Sequence, residues 1–311
     1  MSIIIKSFAV RDENGQPGDM FYIKHGSSNF TIIDCCIVSD NREEIVQEII
    51  RESKNKDITR FISTHPDEDH ICGLPYLDEK INILNFYCVD NKATKPDPSE
   101  SFEHYCKLRD NKEKHYFVYK DCTRKWMNDN DKNDGKNYGS SGINFLWPDT
   151  SDNNFIEAQK LAEEGKAYNN LSPIFTYELN RNIKVMWMGD MEDDYLEKIK
   201  DQVKWTDVDI LFAPHHGRKS GKVLAEVLKK LAPHIVVIGE APSKDLDYYR
   251  GYNTITQNSA GNIVFECGED KVHVYVSDDD YKYDTSFLND EGVQNSKLGN
   301  YLGSFKPKGA E

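Results

Sequence analysis

Long apolar runs are missing from this 311-residue chain, and none approaches the roughly 20 consecutive apolar residues needed to cross a bilayer. No membrane association is expected. The opening Met1-Ser2-Ile3-Ile4-Ile5-Lys6 has one short apolar run broken by a charge, so no signal peptide is expected either. Positive charge is also scarce: 39 Lys and Arg stand against 53 Asp and Glu, a net of -14. Such a surface repels polyanions on average, so non-specific nucleic-acid binding would need a local basic strip or a basic partner. Cysteine is sparse and odd in number, seven in all, with Cys35 and Cys36 adjacent. That pattern excludes a disulfide framework and reads as reduced, mostly buried thiols in a cytoplasmic protein. There is no internal repeat.

What is present argues for a folded chain with a substantial core. Aromatic residues make up 11% of the sequence, and short apolar runs recur despite a mean hydropathy of -0.70. Runs at 3–10, 20–24 and 30–34, separated by turn-rich segments, predict an antiparallel meander. A charged helix follows over 41–56, its apolar stripe formed by Ile45, Val46, Ile49 and Ile50. Strands are expected at 58–64 and 81–89, with a helix able to start at Gly73. From 90 to 141 the composition turns to Lys, Asp, Asn and Glu, which reads as a partly mobile insertion holding helices at 103–110 and 115–127. Its lysines alternate with acids, so they predict a solvated face. Strand–helix alternation resumes from 143 to 277, and 278–311 reads as a polar tail. One domain over 1–277 with sheets inside and helices outside is the αββα sandwich, an α/β fold.

The ligand-rich segment is His65-Pro66-Asp67-Glu68-Asp69-His70, which directly follows a predicted strand. Carboxylates and imidazoles offer lone pairs to divalent cations, and a mixture of both suits zinc, manganese or iron. Alternation along the segment would send some ligands to one side and Asp69-His70 to the other, enough to feed two neighbouring ions. Gly189-Asp190 and His215-His216-Gly217 end later apolar strands and add a bridging carboxylate and a further nitrogen.

In order, His65-x-Asp67-x-Asp69-His70, Asn169-Asn170-Leu171-Ser172, Gly189-Asp190-Met191-Glu192 and His215-His216-Gly217 resemble the metallo-β-lactamase superfamily. Within it they are most similar to the branch holding the metal-binding domain of the ComEC competence protein. Gly18-Asp19, Ile32-Ile33-Asp34 and Gly261-Asn262-Ile263 add weaker matches. The resemblance implies a dinuclear site for two divalent ions, zinc or manganese. His65, Asp67 and Asp190 would hold one; Asp69, His70, Asp190 and one of His215 or His216, with His216 favoured, would hold the other. It also implies catalytic roles for Asp69 and His215, a ligand-orienting role for Asp34, and supporting or substrate contacts for Asn170 and Glu192. Read by themselves, Asn169-Asn170 equally suits a turn, and Glu192 a first-turn helix carboxylate. The chain departs from the family twice. The histidine most relatives carry near Asn170 is missing, leaving the first ion fewer ligands, and Cys35-Cys36 follows Asp34 where the branch has glycine.

The function so implied is hydrolysis of a phosphodiester, as a nuclease or phosphodiesterase, by a metal-bound hydroxide. Hydrolysis of a small ester, lactone or phosphocholine-type diester suits the acidic surface. An effector subunit activated by a protein partner docking on 90–141 or on the tail is the third reading.

Overall fold

The computed structural model describes residues 3–129, 135–179, 183–293, 295 and 297–310. Two sheets share one apolar core. The nine-stranded sheet runs, in spatial order, Asn300–Phe305, Val272–Val276, Ile263–Cys267, Ile3–Ser7, Phe21–Lys24, Asn29–Ile33, Ile58–Ile62, Phe86–Cys88 and His115–Phe117. The six-stranded sheet runs Thr254–Thr256, Ile235–Ile238, Ile210–Phe212, Ile183–Trp187, Ile174–Leu179 and Ile143–Trp147. Strands such as Ile235–Ile238, buried at every position, need Ile and Val because both faces are covered. Phe21 of the larger sheet meets Phe212 of the smaller edge-to-face at 4.9 Å, a contact that locks the layers together. The expected αββα sandwich is therefore the fold.

Helices cover the outside. Arg42–Ser53 buries Ile45, Val46 and Ile49, whereas Ile50 is 39% exposed, so the stripe is one residue narrower than the sequence implied. Asp152 starts helix Asn153–Glu163 by accepting hydrogen bonds from the amides of Asn154 and Phe155.

Strand direction positions the site. From Asn29–Ile33 outward through Ile58–Ile62 and Phe86–Cys88 to His115–Phe117 the larger sheet is parallel. The smaller sheet is parallel from Ile183–Trp187 through Ile210–Phe212 and Ile235–Ile238 to Thr254–Thr256. In parallel sheets the loops at the carboxyl ends gather on one edge, where ligand sites form. Asp34, His65, Asp190 and His216 all follow such ends.

Three expectations are corrected. Residues 115–127 do not form a helix: His115–Phe117 is the outermost strand of the larger sheet, its aromatic side chains suited to a pleated edge. The strand expected over 81–89 is only Phe86–Cys88, because Leu74–Ile81 continues as helix to Asn82 in the left-handed conformation. The stretch 278–311 is not wholly a tail, since Asn300–Phe305 pairs antiparallel with Val272–Val276 and buries Gly303, Ser304 and Phe305. Lys308 then pins the chain end, its amide donating to buried Asp209 at 2.9 Å. The insertion is held as well. Helix Glu100–Asp110 buries Phe102, Tyr105 and Leu108, and buried Arg60 donates to the Trp126 carbonyl at 3.0 Å. The expected mobile tip falls partly on residues 130–134, which lie outside the described residues.

Candidate metal centre

After Ile62 the chain leaves the sheet through Ser63 and Thr64, and the ligand segment turns at once into a short helix, Glu68–Ile71. It is this helical turn, not strand alternation, that fans the side chains apart. Asp34, at the end of the neighbouring strand, is buried with φ +55°. Its carboxylate accepts the Thr64 amide at 2.7 Å and the Thr64 hydroxyl at 2.6 Å, and it faces His70 Nδ1 at 2.9 Å. His70 Nδ1 therefore carries the ring proton, and the Nε2 lone pair points inward.

His216 repeats the arrangement from the other sheet. Its Nδ1 lies 3.1 Å from Asp19 Oδ1, and its Nε2 is 3.3 Å from Asp69 Oδ2 and 3.6 Å from Asp190 Oδ2. Both His215 and His216 have left-handed backbone, with φ +51° and +56°. Such conformations cost about 1–3 kcal/mol each in a non-glycine residue and are concentrated at functional sites. Gly189 (φ +51°) precedes Asp190 for a steric reason as well. A Cβ there would sit 2.5 Å from Ser172 Oγ and 2.8 Å from Thr64 Cβ. The close approach lets Ser172 Oγ accept the Asp190 amide at 3.1 Å.

One donor atom from each of Asp69, His70, Asp190 and His216 lies within 4.8 Å of all the others. No other group of three or more ligand-type residues comes together this closely among the described residues. The family resemblance implied these residues for one ion, with His216 favoured over His215. The set assigned to the other ion is looser: His65 Nε2 lies 3.5 Å from Asp67 Oδ2, beside the cluster, and the His65 and His70 rings are 4.1 Å apart. His215 stands at the mouth, its side chain 16% exposed, with Nδ1 2.9 Å from Ser220 Oγ and Nε2 3.6 Å from Asp190 Oδ2.

The residues fit a divalent cation by two observations. His65 Nε2, His70 Nε2 and Asp190 Oδ1 are buried polar atoms without a hydrogen-bond partner, although His70 Nε2 and Asp190 Oδ1 are only 3.1 Å apart. Buried polar atoms are normally satisfied, and two of these three belong to residues of the four-ligand cluster, His70 and Asp190. Secondly, the acids dominate the local field. Burial alone would discharge His70, yet Asp190, Asp69 and Asp34 hold its pKa well above the ordinary value. His216, where burial is again opposed by Asp19 and Asp190, is pushed up to about 10. His65, buried and beside His70, goes the other way, well below 6.5. Burial lifts Asp67 to about 6, with Lys95 opposing. Acids that pull this strongly on two buried imidazoles mark a place that calls for positive charge.

Two other expected contributors contact each other. Asn170 and Glu192 bind each other, through Asn170 Nδ2 to Glu192 Oε2 at 2.8 Å and the Glu192 amide to Asn170 Oδ1 at 3.1 Å. They clasp the 169–171 turn to the start of helix Asp193–Ile199. The Cys35 thiol donates to the Cys72 carbonyl, and the Cys36 side chain packs where Gly18 has no Cβ, so both thiols face the protein interior. Burial raises the pKa of each, and all seven cysteines are unpaired. Sequence reasoning overlooked Asp19 as the partner of His216, and Ser172 and Thr64 as supports. For Asp19 the Gly18-Asp19 match was the available signal.

With this geometry in place, residues 14–113 match the family described as the metallo-beta-lactamase superfamily. Over those residues the chain is similar to that superfamily, its fold is the αββα sandwich of two sheets, and its Asp/His cluster is of a kind that could hold a metal ion. No curated protein matches the chain. Among solved structures, a long-form RNase Z from yeast is similar with a TM-score of 0.38 at 10% identity, over 82% of this chain. The chain spans 41% of that structure's length. Among the described residues no helix is long and apolar enough to cross a membrane.

Proposed function

We propose that this protein hydrolyses phosphodiesters with divalent cations held by Asp69, His70, Asp190 and His216, and by His65 and Asp67 beside them. The observation that carries the reading is the convergence of those four ligands at the carboxyl edges of two sheets, with two histidines each backed by a carboxylate. Cations there would supply Lewis acidity to a phosphoryl oxygen and neutralise charge developing in the transition state. Asp34 and Asp19 hold a proton on Nδ1 of His70 and His216 and so aim both Nε2 lone pairs at the centre. Asp67 and Asp69, with side chains 31% and 23% exposed, form the rim through which substrate arrives. His215 is the one site histidine whose side chain is partly exposed, where it can contact the substrate. The share of carboxylates in the set favours hard, oxygen-rich chemistry. The net charge of -14 favours a small diester over a long polyanion.

Elemental analysis of the wild type and Asp190→Ala, with hydrolysis of bis(p-nitrophenyl) phosphate across manganese, zinc and magnesium, tests the proposal. Bound metal and metal-dependent cleavage in the wild type, with both lost in the variant, are expected. Wild-type protein that takes up metal yet cleaves no phosphodiester with any of the three ions would overturn it.

A further inference from the structure

The rim of the centre holds one feature the ligand set does not use. Lys95 Nζ lies 3.7 Å from Asp67 Oδ1, too far for a hydrogen bond. Among the described residues it is the one lysine or arginine within ion-pair distance of Asp19, Asp34, Asp67, Asp69 or Asp190. Its side chain is 17% exposed, and the ammonium stands over the rings of Phe102 at 4.9 Å and Tyr168 at 5.2 Å. Two aromatic faces steady the cation without occupying its N–H groups.

The backbone carrying Lys95 is fixed on both sides. The Thr94 amide donates to the Ala162 carbonyl at 3.1 Å, and the Thr94 hydroxyl donates to Glu163 at 2.7 Å. Tyr168, whose ring lies under Lys95, donates its hydroxyl to the Thr94 carbonyl at 2.5 Å. Pro96 follows directly and restricts Lys95 to extended conformations. Beyond it, the Ser99 hydroxyl donates to Glu68 at 2.6 Å, tying the same loop to the helix of the ligand segment. A long, rotamer-rich side chain has thus been held at one point beside the rim. Its three N–H donors have no hydrogen-bond partner among the described residues.

We infer that Lys95 is the anion-binding residue of the site: its ammonium takes a non-bridging oxygen of the substrate phosphate as the diester enters over Asp67 and Asp69. The inference rests on the phosphodiester reading and adds to it a residue that selects negatively charged substrates. An ammonium steadied over two rings, 3.7 Å from its one carboxylate neighbour and with unused N–H donors, is arranged for an incoming anion.

Three proteins test this: wild type, Lys95→Met, which keeps the stem over both rings, and Lys95→Arg, which keeps the charge. Bound metal is measured first, then binding of inorganic phosphate to the metal-loaded proteins by calorimetry. KM and kcat follow for bis(p-nitrophenyl) phosphate and for the neutral ester p-nitrophenyl acetate. In Lys95→Met, unchanged metal content, phosphate affinity and KM for the diester each about 10-fold worse, kcat little altered and no effect on the neutral ester are expected. Lys95→Arg should restore most of the loss. Phosphate affinity and diester KM unchanged in Lys95→Met would overturn the role of Lys95 while leaving the hydrolase reading intact, as would loss of metal, which would make Lys95 a support for Asp67. Weaker phosphate binding in Lys95→Met with no diesterase activity in the wild type would sustain the anion site and remove the activity.

Discussion

Asp34→Asn isolates the device that aims His70 at the centre. The carboxylate is 1% exposed and accepts all it can from two residues: the Thr64 amide on Oδ1, and the Thr64 hydroxyl and His70 Nδ1 on Oδ2. An asparagine must keep its carbonyl oxygen toward the Thr64 amide, which can only donate, and so places its NH2 group where Oδ2 was. The Thr64 hydroxyl can rotate to accept, but His70 Nδ1 must then offer a lone pair. The ring proton moves to Nε2, which faces Asp190 Oδ1 at 3.1 Å, and the lone pair a cation needs is gone. Loss of such a partner costs roughly 10–100-fold in metal affinity, about 1.4–2.7 kcal/mol. Folding stability should change less, because the amide still fills the site and still accepts the Thr64 amide proton, about 1–2 kcal/mol for one rearranged buried hydrogen bond. Competition titration against a chromogenic chelator, with urea unfolding of the metal-free protein, separates the two effects. An Asp34→Asn protein that is as stable as wild type and holds metal with undiminished affinity would refute the reasoning, because the proton on His70 would then not be set by Asp34.

Two further outcomes follow from other buried contacts. Gly189→Ala should destabilise the fold by about 2–5 kcal/mol, the sum of a left-handed alanine and a Cβ forced against Ser172 and Thr64, and urea unfolding reads it directly. His25, buried against Thr31 with Arg60 and Lys56 nearby, has its pKa held well below the model-peptide value of 6.5, burial being the largest cause. Its ring stays neutral in the folded protein while the unfolded chain takes up a proton below pH 6.5. Stability is complete above that pH and falls as pH drops, by up to about 2 kcal/mol at pH 5. His25→Gln should lose that portion of the acid sensitivity, seen as a shallower fall in unfolding midpoint from pH 7 to 5.

The fold and the four-ligand cluster were legible because each motif is local and each sits at the end of an apolar strand. Ile58–Ile62 before His65, Ile183–Trp187 before Asp190 and Ile210–Phe212 before His216 all declare themselves by composition alone. What stayed hidden depends on pairings distant in sequence. Asn300–Phe305 is short, interrupted by Gly303 and set in a polar, Gly-rich stretch, so it does not stand out as a strand; Val272–Val276 supplies the edge that makes it one. His115–Phe117 likewise has only half-buried residues and exists as a strand because Phe86–Cys88 offers a parallel edge.

The same division runs through the site itself. Metal ligands must be close in space and chemically distinctive, so they leave dense motifs. The residues that orient them or meet the substrate need only one contact each, and that contact can come from anywhere. Asp19 reaches His216 across 197 positions, and Lys95, in a stretch whose lysines and acids alternate like a solvated surface, reaches Asp67 because Tyr168 and Phe102 lie beneath it. Asn170 and Glu192 show the converse. They sit inside recognisable motifs, yet each satisfies the other, so the family pattern there marks a clasp between two turns as well as it marks chemistry. A motif therefore locates this centre. The second layer of contacts, read from the fold, decides which charge the centre accepts.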